Sequence, residues 1–498
     1  MEYSNPQYAY VALAIFTAGC ILSIIRRSLT PFPPGPPPMF LIGNLRDFPT
    51  KQPWITYTNW KKKYGMLSFR LSRHVIVLNS RKAVQDLFEK RSHIYSDRPL
   101  LAMRDILGWK FVLGLMHYDD EWRTNRRILH QKYRHDAALA YRPVQLSKIH
   151  ELLKSVLRDP ENFERHYKYM AASIIMATVY GYESAPKDDT FIDNGDKAIT
   201  IMTNSMFPGA SLVNSVPFLK YLPSWVPGSQ FQRRAEECQN LTRAMLDLPF
   251  EFVKRNMQNG TAIPSVISSL IQENGGTAEA EEMIKGLGAT SYSGTSFSES
   301  QRGKQFLATH PDVCKRAQVE IDAVTSSSRL PEYEDRTSLP YVEAIYREVM
   351  RWRPAMPMGV AHTTIQDDIY EGYLIPRGAT IMSNIWAMAH DPTKYSDPEL
   401  FKPERFLTSE GTLNDDNTIL TFGFGRRICI GRHAADSTIW ATIACVLAVF
   451  NFSYAVENGD PVPISGEYTD ALISHVLPFR CKIQPRSEFL RHLVEETK

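Results

Sequence analysis

Eleven residues of this 498-residue chain, "TFGFGRRICIG" at 421–431, set a cysteine among glycines and arginines directly before a long apolar run. A thiol acts as nucleophile or metal ligand once it is a thiolate, and Cys429 stands where ionisation is favoured. The run that follows, "GRHAADSTIWATIACVLAVF", reads as a helix. The free N–H groups and positive dipole end at a helix start stabilise an anion. Gly423, Gly425 and Gly431 let the backbone approach something flat and supply unusual dihedrals. Arg427, two positions before the cysteine, offers a planar fork for a carboxylate. Thiolate, glycine-lined approach and guanidinium together describe an axial iron ligand beside a clamp for an acid-bearing ring. A second chemistry uses the same stretch: a helix would bring His433, four positions on, to Cys429 as the base of a cysteine hydrolase. That reading supplies no oxyanion hole and leaves Gly425 and Arg427 without a purpose.

The elements that must position this loop read mostly as helices. "WRTNRRILHQKYRHDAALAYRPVQLSKIHELLKSVLR" and "YVEAIYREVMRW" repeat apolar residues at three- and four-residue intervals. Strand patterns are fewer: "GMLSFRLSRHVIVLN", "DIYEGYLIPRGATIMSN" with its Pro-Arg-Gly turn, and "VLPFRCKIQP" near the C-terminus. The fold class expected is mainly α, with a small β region fed from both ends of the chain. Residues 50–498 show no repeat and no linker, and read as one catalytic domain. With 43% hydrophobic and 22% charged residues the chain can bury a large core. A net charge of +3 is too small for a nucleic-acid surface, so no nucleic-acid partner is expected. The cysteines at 20, 238, 314, 429, 445 and 481 form no C-x-x-C pair, which argues against a zinc site or a disulfide framework.

The N-terminus reads differently. Residues 1–7 form a short tail, and "YAYVALAIFTAGCILSII" (8–25) carries no charge over 18 residues, just enough for a helix to span the hydrocarbon core of a bilayer. Arg26 and Arg27 follow, so the positive-inside rule leaves the rest of the chain in the cytosol. The expectation is one transmembrane signal anchor. A basic, proline-rich linker follows at 26–49, in which "PFPPGPPP" (31–38) is a stiff spacer between membrane and body.

Phe422, Gly425, Arg427, Cys429 and Gly431 fill every fixed position of F-x-x-G-x-R-x-C-x-G, and the chain thereby resembles the cytochrome P-450 family of haem-thiolate monooxygenases. Further matches arrive in the family's order. "EWRTNRR" supplies Trp122 and Arg126, which the resemblance places on a haem propionate. "YREVMRWRP" supplies Glu348 and Arg351, three apart and therefore on one helix face. "FKPERF" adds Arg405, completing a Glu–Arg–Arg network behind the haem, and His362 matches another propionate-binding position. The resemblance implies haem b (heme b, iron-protoporphyrin IX) with Cys429 as metal ligand. It also implies insertion of one oxygen atom from O2 into an apolar small molecule, with electrons from an NADPH-dependent flavoprotein reductase. The look is that of microsomal fungal enzymes of secondary metabolism, on the endoplasmic reticulum membrane with the catalytic domain facing the cytosol. Arg126, Arg127, Lys132, Arg134, Arg426 and Arg432 would form a positive face for an acidic reductase.

By the same resemblance, a lipid-soluble substrate meets residues 99–115, 286–298, 354–362 and 470–477, while "MFPGASLVNSVPFLKYLPSWVPG" (206–228) dips into the bilayer. One region departs from the pattern. The family's central helix carries an acid and a threonine that relay protons to bound dioxygen, but "GLGATSYSGTSFSESQRGK" is short and polar there. Aligned from its right flank, Thr295 takes the alcohol's place and Gly294 the acid's. From the left, Ser298 and Phe297 do, with Glu299 one position beyond. Three outcomes follow from this: a relay from Thr295 through water, haem-thiolate chemistry without O2 activation such as a rearrangement, or an inactive variant.

Overall fold

The computed structural model describes residues 30–40, 42–65, 67–71, 73–206, 212–215, 217–221, 230–295, 306–416 and 420–497. The protein is mainly helical, with small sheets. Its longer helices are α1 (Pro53–Tyr64), α2 (Asp120–Tyr133), α3 (Arg142–Arg158), α4 (Phe163–Tyr180), α5 (Thr190–Met206), α6 (Gln230–Gln258), α7 (Val266–Asn274), α8 (Ala278–Thr295), α9 (Pro311–Thr325), α10 (Pro340–Trp352) and α11 (Arg432–Val449). Strands β1 (Leu67–Arg70), β2 (His74–Leu78), β3 (His362–Thr363) and β4 (Thr380–Ser383) form one sheet in the order β1-β2-β4-β3. β2 runs parallel to β4, with Val75 opposite Thr380, and the other two pairings are antiparallel.

The β region is not one unit fed from both chain ends. The C-terminal strand β6 (Cys481–Pro485) pairs antiparallel with β5 (Phe450–Tyr454), which leaves α11 directly, and these two make a sheet of their own. The main sheet is closed instead by residues 362–383. There the expected Pro-Arg-Gly turn forms, with the Ala379 N–H on the Pro376 carbonyl at 3.1 Å and Gly378 at φ +77°.

Two apolar clusters meet at the start of α11. Ile439 to Val449 are buried on every side of that helix, together with α3, α9 and α10. A helix apolar all round belongs in a core. The second cluster joins α5, α6, α7, α8 and the loop 103–116, and Ile430 and Ala434 pack against it. The residues preceding α11 are thus gripped between two packed bodies.

No helix among the described residues is long and apolar enough to cross a membrane. The expected span at 8–25 lies outside the described residues, as does most of 206–228. Part of the expected 26–49 linker rests on the body. The Ser68 N–H donates to the Pro34 carbonyl at 2.9 Å, the Leu374 N–H to Pro31 at 2.8 Å, and the Phe32 ring stacks on His74 at 4.3 Å. A Cβ at Gly35 would strike the Ser68 carbonyl, so the close approach needs glycine.

α10 shows how sequence becomes position. Pro340 opens it, where a missing N–H is harmless, and Tyr341, Val342, Ile345, Tyr346 and Val349 bury its apolar face. The free N–H groups of Tyr341 and Val342 are taken by the Glu320 carboxylate of α9 at 2.8 and 3.0 Å. A side chain that caps a helix this way contributes about 1 kcal/mol. Glu320→Ala should therefore lower unfolding stability by about that amount, read as a shifted midpoint in urea denaturation.

Candidate haem-thiolate site

The loop around Cys429 is built by short-range hydrogen bonds. Turns at Leu420–Phe422 and Gly425–Arg427 fold it, and the Cys429 N–H donates to the Phe422 carbonyl at 2.8 Å. Gly431 caps α11 at φ −80°. The glycines differ in purpose. Gly425 sits at φ +55° with its Cα against the Phe88 carbonyl, where any Cβ would collide. Gly431 has an ordinary φ, and a Cβ there would meet nothing within 4 Å. Protein sterics therefore do not demand glycine at 431, and the clearance it gives lies beside the sulfur.

Cys429 is accessible, whereas Cys238, Cys314 and Cys445 are buried. Loss of hydration nonetheless pushes its thiol up, opposed by the Gly431 N–H, Arg126 and Arg432. The residue is thus reachable at the surface, while the protein around it disfavours a charge there. The alternative hydrolase pairing gains no support: His433 packs edge-on against His135, at 5.4 Å between ring centroids.

Cations converge beside it. Arg427 is 9% exposed, and it donates from Nε to the Ser96 carbonyl (2.7 Å) and from Nη2 to Met116 (3.0 Å). Its guanidinium lies over the Trp122 ring at 4.1 Å. Arg126, on α2, donates to the Ile428 carbonyl at 2.8 Å and flanks the same ring at 5.5 Å. Trp122 is positioned by Asp119, whose carboxylate caps α2 by accepting the Trp122 N–H at 2.8 Å. His362 is buried, stacks on Phe88 at 4.0 Å and donates from Nδ1 to the Tyr95 carbonyl at 2.7 Å. Trp122, Arg126, His362 and Arg427 thus lie near one another.

One member was missed. Arg98, 5% exposed, donates to the carbonyls of Gly114 (2.8 Å), Val360 (2.9 Å) and Ala361 (2.8 Å). It ties the loop 101–116 to the strand carrying His362. "DRPL" gave only a weak signal, an arginine before a proline.

The electrostatics say what these groups would hold. Burial, then the nearby Arg427, pushes the Arg98 guanidinium well down, and burial lowers Arg427 to about 10. Arg126 is lowered by burial, and His362 by burial and by Arg98. Asp97 and Asp119 offset part of this field at Arg427, and Asp97 at Arg98; a further anion among the guanidiniums would offset more. Trp122 Nε1 is also buried without an acceptor. A flat ring bearing two carboxylates fits this set: its acids suit Arg98, Arg126, Arg427, His362 and Trp122 Nε1, and its face suits the clearance at Gly431 beside Cys429.

Behind the loop, Glu348 has no exposed surface. It accepts from Arg351 Nε and Nη2 at 2.6 and 2.8 Å, from Arg405 Nε at 3.1 Å and from the Lys402 N–H at 2.7 Å. Arg351 also donates to the Ala389 and Pro398 carbonyls. The Thr421 hydroxyl joins the cysteine loop to α10 through the Met350 carbonyl, 3.1 Å. On the opposite side, Thr290 of α8 bonds the Phe111 carbonyl (3.3 Å) and the Leu113 N–H (3.4 Å). Thr295 is the last residue of α8, and its side chain, like residues 296–305, lies outside the described residues. The expected positive face is thinner than the sequence suggested, because Arg126 points inward and Lys132 is held by Glu273 at 2.8 Å. Arg127, Arg134 and Arg426 are exposed.

Removing one partner of a buried charge network costs about 3–5 kcal/mol. Glu348→Gln, which strands two guanidiniums, should lose about that much, read by chemical unfolding under tryptophan fluorescence.

Residues 33–480 match the family model for Cytochrome P450. Among curated proteins the chain is 40% identical to cytochrome P450 monooxygenase ppsD of Aspergillus oryzae, over 94% of this chain and 92% of that one. It is 38% identical to cytochrome P450 monooxygenase 208 of Postia placenta (94% and 93% covered) and 36% identical to cytochrome P450 monooxygenase COX2 of Coprinopsis cinerea (100% and 98%). Taken with the cysteine loop and the cations around it, these likenesses show that the chain belongs to the cytochrome P450 family of monooxygenases, oxidoreductases whose haem takes a cysteine thiolate as axial ligand.

Proposed function

We propose that this protein inserts one oxygen atom from O2 into an apolar small molecule, a fungal secondary metabolite, with electrons from an NADPH-dependent flavoprotein reductase. The observation that carries the reading is the accessible Cys429 sulfur beside a buried cluster of cations. Cys429 is the iron ligand; burial pushes its thiol up, and the Gly431 N–H, Arg126 and Arg432 offset part of that. Arg98, Trp122, Arg126, His362 and Arg427 hold the propionates. Phe422 fixes the cysteine backbone, Gly425 seats the loop on Phe88, and Gly431 keeps the ring's face clear. Glu348, Arg351 and Arg405 keep this assembly rigid. Haem bound there supplies O2 activation and the oxidising power for C–H insertion.

The chain's own contribution is to bind substrate, exclude water and move protons. Segments 99–115, 286–298, 354–362 and 470–477 orient the substrate, and Thr295, at the end of α8, passes protons through water in place of an acid–alcohol pair. Residues 8–25 anchor the body, residues 50–498, to the cytosolic side of the endoplasmic reticulum membrane. Exposed Phe40, Ile42 and Leu45, just after the proline strap, support that attitude.

Reduced, haem-loaded protein under carbon monoxide should show the long-wavelength Soret band of thiolate ligation, and Cys429→Ala should abolish both band and turnover. A folded, loaded protein lacking the band would reject the reading. The reductase is expected on the face of Arg127, Arg134 and Arg426. Rim charges act mainly on association rate, so Arg127→Glu with Arg134→Glu should lower reductase-supported NADPH oxidation about tenfold at low salt, of which 1.4 kcal/mol is the equivalent, and leave the carbon monoxide spectrum unchanged.

A further inference from the structure

A second set of charges, separate from the Glu348 network, reaches both sides of the cysteine loop. Downstream, Asp436 lies in the second turn of α11. It accepts from Arg336 Nη1 and Nη2 at 2.5 and 3.2 Å, and from the buried Tyr346 hydroxyl at 2.7 Å. Upstream, Arg347 of α10 donates from Nη1 to the Asn414 and Asp416 carbonyls at 3.1 and 3.3 Å. Glu343, also on α10, joins the two halves by accepting from Arg336 Nε at 2.9 Å and from Arg347 Nε at 3.2 Å. The line Asp436–Arg336–Glu343–Arg347 alternates in sign. It runs from α11 across α10 to the residues ahead of the loop.

Arg336 belongs to a 3-10 turn, Tyr333–Ser338. That turn holds α11 a second time. The Tyr333 hydroxyl donates to Gln145 Oε1 at 2.9 Å, and Gln145 Nε2 donates to the Ala434 carbonyl at 3.1 Å. The turn is itself fixed: the Asp335 carboxylate accepts from Arg329 at 2.6 and 2.7 Å and from the Glu332 N–H at 2.8 Å. A fixed turn therefore grips the first two turns of α11, the helix that Cys429 precedes.

Local bonds such as that from Cys429 to Phe422 give the loop its shape, but its place against α10 and α11 is set at its two sides. The links there act in series, so breaking one releases both sides from each other. The side chains are partly shielded, 23% exposed at Arg336 and 30% at Asp436. Such pairs hold more firmly than surface ones and less firmly than the sealed Glu348 network. We propose that Arg336 is a positioning residue for Cys429: with Asp436, Glu343 and Arg347 it clamps both sides of the cysteine loop and keeps the sulfur in place as the iron ligand. The clamp rests on the reading of Cys429 as that ligand.

The test uses full-length, haem-loaded enzyme, reduced under carbon monoxide in mild urea. The long-wavelength Soret band and far-ultraviolet circular dichroism are followed together. In the unaltered protein, band and helix signal should disappear together. Arg336→Met should lose the band about tenfold faster than the unaltered protein while the helix signal persists. Asp436→Asn, nearly isosteric, should separate the two signals in the same sense, and it keeps the test open if Arg336→Met fails to fold. Arg336→Lys, which keeps the charge but not the fork, should fall between Arg336→Met and the unaltered protein. Because the links are in series, Arg336→Met combined with Arg347→Met should lose the band no faster than the faster single variant. Asp322→Asn breaks a comparably exposed pair outside the clamp, with Arg486 at 2.5 and 3.0 Å, and should lower the unfolding midpoint without separating the signals. Band and helix signal lost together in Arg336→Met and Asp436→Asn, equal separation in Asp322→Asn, or multiplied effects in the double variant would overturn the clamp alone. A folded, loaded, unaltered protein without the band would reject the haem-thiolate reading, and the clamp with it.

Discussion

Glu348 is a carboxylate removed from water, and the position of Cys429 depends on it. An ionised group so deeply buried is tolerated only when every lone pair is met. Here Arg351, Arg405 and the Lys402 N–H meet them. Two of those partners come from the stretch 402–405, which closes in a 3-10 turn at Pro403–Phe406, so α10 and that stretch cannot separate without stranding a charge. One residue before Arg351, the Met350 carbonyl receives the Thr421 hydroxyl, which passes the restraint on to the cysteine loop.

The other side of that loop is organised by the opposite sign. Arg98, Arg126 and Arg427 are each bound to backbone carbonyls, which orient them without cancelling their charge. Carbonyl partners from residues 96, 113–116 and 360–361 belong to segments far apart in sequence. The cations therefore act as struts between elements while keeping a positive field for an acidic ring.

Much of this was legible in the sequence because it is local. The cysteine loop compresses five specifying positions into ten residues, and Glu348 and Arg351 lie on one helix turn. What escaped is defined by distant backbone. Arg98 is known as a site residue only once Gly114 and Ala361 are beside it, and Gly425 is required by the Phe88 carbonyl rather than by a cofactor face. The strands near both termini were recognised by alternation, but pairing was not. β6 goes to β5 because α11 delivers that strand to it, a fact of packing that periodicity does not contain. Lys132 looked free until Glu273 of α7 came to meet it.

The proline strap has a consequence beyond tethering. β1 is the outermost strand of its sheet, and an uncovered outer strand invites a strand from another molecule. By seating Pro34 on the Ser68 N–H, the chain closes that margin with a segment whose prolines have no N–H to offer in turn. The ladder stops there, and the same few residues that lead toward the N-terminus also keep neighbouring copies from zipping together.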